Sequence, residues 1–164
     1  MKTKIKLYNV MFPVFFLLMV PITPIFLISI LVNMIWDYLV FSFLVKKFRL
    51  EVDKMEKKIA FLKIFKLGFA ADFIGAGILL AMMMGTKIGD HIGNYSYSGP
   101  IDQPVGAIIV FLAVVLSGVL LYIFNNKYTL KSLDWSTEDK KKVALWIAIL
   151  TAPYTFLIPL NIFM

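Results

Sequence analysis

The 164-residue sequence has no cysteine and a single histidine, His91. Without thiols the chain can build no disulfide framework, no cysteine-ligated zinc or iron–sulfur centre and no cysteine nucleophile. One imidazole likewise excludes the two-histidine motif of zinc proteases. The nucleophile elbow G-x-S-x-G and the phosphate-cradling G-x-x-x-x-G-K-[ST] are both missing. Charge is sparse as well, at 16% of residues. Acids are its rarer sign, 10 against 17 basic residues, for a net charge of +7.

What fills the chain instead is apolar. Hydrophobic residues make up 60% of it, with a mean hydropathy of +0.85; soluble domains hold roughly 45–50% even with glycine counted. These values exclude an ordinary soluble globular domain and a disordered chain, which needs low hydrophobicity. The length fits one domain, most of it in lipid. The lysines cluster beside apolar runs and not on a soluble face, so nucleic acid is not an expected partner.

A membrane span needs about 20 predominantly apolar residues. The runs at about 60–84, 105–124 and 143–163 each satisfy this. The stretch from Tyr8 to Val45 is too long for one span and short for two; as one helix it would reach about 57 Å at 1.5 Å per residue. Pro21 and Pro24 offer the break, because each removes a donor and clashes with the preceding turn. A hairpin of about 8–20 and 24–45 follows, its first arm either a full span or part of a shallow re-entrant loop. Lys2, Lys4 and Lys6 before the first arm resemble the basic region of a signal peptide. No small-residue cleavage site follows, so an uncleaved anchor is expected.

Lysine positions test the hairpin. Basic residues flank the first arm, fill the 46–60 connection and recur over 127–142. With a hairpin, every basic residue except Lys87 falls on one side; a single crossing of 8–45 would strand the N-terminal lysines. The positive-inside rule therefore favours the hairpin. The expected protein is an all-α, polytopic helical bundle of five hydrophobic segments in the cell membrane. Its N-terminus is cytoplasmic, its C-terminus extracytoplasmic, and inner-leaflet anionic lipids are its nearest partners.

The 46–60 connection lacks Gly and Pro, and Asp53 precedes Lys57 at i, i+4, so much of it is expected to be helical with its turn unplaced. The outer connection, about 85–104, carries Gly85, Gly89, Gly93, Gly99, Pro100 and Pro104 and reads as a loop. Ser136 with Asp139 marks a helix start, and Tyr122, Tyr128 and Trp135 suit the inner interface.

Small residues mark helix faces that meet protein, since close backbone approach drives association in lipid. Gly68 and Gly75 share a face with Asp72; Gly106, Ala113 and Ser117 align; Ala144, Ala148, Thr151 and Thr155 form a stripe in the last segment. Pro153 and Pro159 are expected to kink that segment.

Asp37 and Asp72 are the acids inside the expected spans. An intramembrane carboxylate normally faces the bundle, pairs with a cation or lines a wet path. Asp37 continues a polar stripe through Ser29 and Asn33. Two readings stay open: a structural pairing, Asp37 with Lys66 at similar depth on an adjacent antiparallel helix, and a site that binds and releases a proton or cation. Asp90, His91 and Asp102 in the outer connection are too few to fix a metal by spacing and read as solvated. No cofactor or metal is expected. The leading expectation is a small membrane-embedded interaction or accessory subunit, not an enzyme, packing with itself or a larger membrane protein. A proton- or cation-coupled transporter or channel is the alternative. An intramembrane acid–base enzyme stands third.

Overall fold

A computed structural model describes residues 24–84 and 87–159, and among them every regular element is helical. The expected first arm, about 8–20, and Ser29's side chain lie outside the described residues. The elements are α1 (Pro24–Lys47), α2 (Lys54–Met83), α3 (Lys87–Ser98), α4 (Pro104–Phe124) and α5 (Thr137–Thr151). A π turn (Asn125–Thr129) and a 3-10 turn (Leu130–Ser132) continue α4, and a second 3-10 turn (Tyr154–Leu157) follows α5. Among the described residues, two helices are long and apolar enough to cross a membrane, Lys54–Met83 and the combined run Pro104–Ser132.

Local chemistry sets the helix ends. α1 finishes in Lys46 and Lys47, whose charge suits the negative end of the helix dipole. Arg49 then turns into the left-handed region (φ 52°). Its N–H donates to Lys46 O at 3.2 Å and that of Leu50 to Val45 O at 3.0 Å. This is the paired closure that glycine usually makes, so the connection turns without glycine. Asp53 caps α2: its carboxylate accepts from Met55 N–H at 2.9 Å, and Glu56 accepts from Asp53 N–H at 3.4 Å. Asp53 thus serves as a cap, and Lys57 instead sits over the Tyr38 ring at 5.6 Å. Ser136 caps α5 by accepting from Asp139 N–H at 3.0 Å.

The outer connection differs from the loop expected there. Twelve of its residues form α3, which buries Gly89, Ile92, Tyr95 and Ser96 on one face. Its glycines permit contact: a Cβ on Gly89 would overlap the Met83 backbone, and one on Gly106 would overlap the His91 carbonyl. Tyr95, buried, donates its hydroxyl to Leu157 O at 2.6 Å, tying α3 to the end of the chain's described part. Burial also pushes the Tyr95 phenol above its ordinary pKa.

α2 packs on α4 through the small residues. A Cβ on Gly75 would overlap the Ser117 hydroxyl, and that hydroxyl donates to Ala71 O at 3.4 Å. One core cluster, with Phe41, Leu44, Ile64, Leu130, Val143 and Ile147, fills the lysine-rich end. A second, with Leu79, Ile92, Tyr95, Val110 and Phe156, fills the opposite end. Ala71, Leu121 and Ala148 lie between them. Outside, α1 and α4 expose rows of large apolar side chains, among them Leu31, Ile35, Leu39, Ile108, Leu112 and Val119.

The last expected segment, 143–163, is not a continuous helix. α5 starts earlier, at Thr137, and ends at Thr151. Pro153 stops the helix and does not merely kink it, because the chain re-enters as a 3-10 turn.

Candidate functional site

The break after α5 opens a cavity of about 590 Å³ between α1, α2 and the chain from Leu150 to Phe156. Pro153 has no N–H for the Ile149 carbonyl, and Tyr154 N–H donates instead to Ala152 O at 2.7 Å. The carbonyls so orphaned find aromatic donors. The Tyr154 hydroxyl donates to Ile149 O at 2.6 Å, and the Trp36 indole of α1 donates to Leu150 O at 2.8 Å. Thr151 returns its own hydroxyl to Ile147 O at 2.9 Å. The broken end is thereby finished by side chains, as a buried helix terminus requires.

Asp37 and Asp72 both line this cavity, from α1 and α2. Asp37 is 8% exposed. Its Oδ2 lies against Gly68, 3.6 Å from where a Cβ would stand, an ordinary contact distance. Asp72 follows one turn later on α2, and its Oδ1 is buried without a hydrogen-bond partner. Asn33, half-buried, continues the polar edge one turn before Asp37. Much of the remaining wall is aromatic: Phe65, Phe69 and Phe73 form a ladder along α2, with ring centroids 6.2 and 4.9 Å apart, and Phe156 also lines the cavity.

The expected Asp37–Lys66 pair does not form. Lys66 is exposed, about 200° around α2 from Gly68 at 100° per residue, and so points away from the face that receives Asp37. Among the described residues the one ion pair is Lys142–Glu138 at 3.0 Å, on the exposed side of α5. Among the described residues no cationic side chain lines the cavity.

The packing residues divide. Gly68, Gly75, Ala144 and Ala148 are buried within the bundle. Thr151, the last residue of α5, is half-buried and Thr155, past the helix end, is exposed, and both line the cavity. Asp90, His91 and Asp102 are exposed. Among the described residues no three His, Asp or Glu side chains gather as metal ligands. Sequence reasoning missed Trp36 and Tyr154 as caps; the signal was a proline inside an apolar run, which always leaves a carbonyl to be satisfied.

No family model, curated protein or solved structure matches this chain.

Proposed function

We propose that the protein is a multi-pass membrane protein, lysine-rich end cytoplasmic, whose cavity binds a proton or cation on a path across the bilayer. The observation that carries this reading is two acid side chains, on separate helices, lining one cavity with no cationic side chain among the described residues that line it. Asp37 lies about 14 Å along α1 from Lys46, and Thr151 about 14 Å along α5 from Lys142, at 1.5 Å per residue. With those lysines at the inner interface, both acids and the helix break sit near the middle of a hydrocarbon core about 30 Å thick. Intramembrane acids of this kind mark ion paths. The partial negative charge at the C-terminal end of a helix broken at that depth favours a cation nearby without ligating it.

The small-residue faces argue in the same direction. Gly68, Gly75, Ala144 and Ala148 are used up inside the chain, so they leave little for a partner to grip. The accessory-subunit reading rests instead on the exposed apolar face of α1, which a second copy or a larger membrane protein would cover. Lys54, Lys57 and Lys58, beside Tyr38 and Phe61, form the surface proposed to meet anionic inner-leaflet lipids.

Flux in proteoliposomes tests the reading. Purified wild type should carry protons or a monovalent cation down an imposed gradient, and Asp37→Asn and Asp72→Asn should each abolish that flux while the protein stays monodisperse. Wild type no faster than empty vesicles, or variants as fast as wild type, would overturn it.

A further inference from the structure

We propose that the ligand of the cavity is an amphiphilic organic cation, with its charged centre at Asp37 and Asp72 and its apolar body against the phenylalanine ladder of α2. The proposal rests on the cavity being a cation site and names the class of cation. Size is the first argument. At about 590 Å³ the space matches sites for small organic molecules, roughly 300–1,000 Å³, and far exceeds what a proton or bare metal ion fills. A site for a bare ion would also need a shell of oxygens, and the carbonyls of Ile149 and Leu150 are already taken by Tyr154 and Trp36.

The second argument is how polarity is distributed. The acid and amide groups are Asn33, Asp37 and Asp72, the chain from Thr151 to Thr155 adds hydroxyls, and Phe65, Phe69 and Phe73 present an aromatic wall. That is the pattern of an amphiphile seen from outside, and aromatic faces also attract cations directly. Asp37 itself is more than nine-tenths buried, lines the cavity and forms no ion pair among the described residues, so a ligand cation supplies the charge that these residues withhold. An anionic ligand would meet two acids and the negative end of α5, with no cationic side chain among the described lining residues to receive it.

Access is the third. Among the described residues, Ile28, Val32 and Ile35 line the cavity and also belong to the exposed apolar face of α1. The mouth therefore lies on a surface suited to hydrocarbon, where an amphiphilic cation dissolved in lipid concentrates.

Tetraphenylphosphonium and tetraphenylborate, nearly identical in shape and opposite in charge, make the test. The full chain in mild detergent should bind tetraphenylphosphonium saturably by equilibrium dialysis, and tetraphenylborate should fail to compete. Asp37→Asn with Asp72→Asn should weaken binding by about tenfold or more, the loss of a buried charge contact. Should that variant misfold, Val32→Trp keeps both acids, sits on the exposed rim and should weaken binding by about tenfold by filling the space. No saturable binding, equal competition by tetraphenylborate, or unchanged affinity in the folded variants would each overturn the proposal. If tetraphenylphosphonium does not bind but proton or sodium flux still depends on both acids, the organic ligand is rejected and the broader cation site survives. If that flux is also independent of them, both fall.

Discussion

Where α1, α2 and α5 face one another, the lysine-rich half of their contact is filled and the half beyond Asp37 is hollow, while a second core packs α2, α3 and α4 beside the hollow. In the filled half, Phe41 and Leu44 from α1, Ile64 from α2 and Val143 and Ile147 from α5 are all fully buried against one another. Nothing in α1 or α2 changes class on passing Asp37; both stay helical and apolar. What changes is α5, which ends at Thr151 ahead of Pro153, where the cavity opens. The cavity is the consequence of one proline in a three-helix contact, and the acids are the polar residues that border it.

That contrast can be broken by shaving the same side chain on each side of it. Phe41→Ala should cost about 3–5 kcal/mol, the range for a large aromatic in a packed core. Phe69→Ala, on the cavity wall, should cost less than about 1 kcal/mol, because the space it vacates adjoins space already present. Thermal unfolding in mild detergent reads both, and equal losses would mean that the two halves are packed alike.

The sequence announced the materials of this arrangement better than its shape. Gly68, Gly75, Gly106, Ala113 and Ser117 were legible as close-contact positions because helical period alone places them on shared faces. Asp37 and Asp72 stood out because acids in apolar runs are rare. Their meeting at one cavity was not legible: an ion pair with Lys66 fitted the depths equally well, and only the rotation of α2 decides against it. α3 was hidden by its own glycines, which mark turns in a sequence but here let backbones touch. The turn at Arg49 was hidden for the opposite reason, since a left-handed residue is normally announced by glycine.

Smaller effects sharpen the comparison. Trp36→Phe keeps the ring but removes the donor to Leu150 O. It should cost about 0.5–1.5 kcal/mol, typical of a hydrogen bond between membrane helices. The loss should appear in the hollow half, as faster hydrogen exchange at the end of α5; protection unchanged there would mean that the indole is not what finishes the helix. At the far end of the filled half, Arg49→Gly relieves a left-handed backbone at the cost of some chain entropy. A gain of up to about 1 kcal/mol is expected, seen as a higher Tm; a lower one would count against the turn geometry.

The central claim is that Asp37 and Asp72 act as one site at the hollow in the bundle. A double-mutant cycle on cation flux tests it most directly, comparing Asp37→Asn, Asp72→Asn and the pair together in the same proteoliposomes. Residues that work as a unit show strong non-additivity. Each single change should therefore abolish most of the flux, and the double change should add little. Two partial losses that simply multiply would show that the acids work apart, and would contradict a shared site.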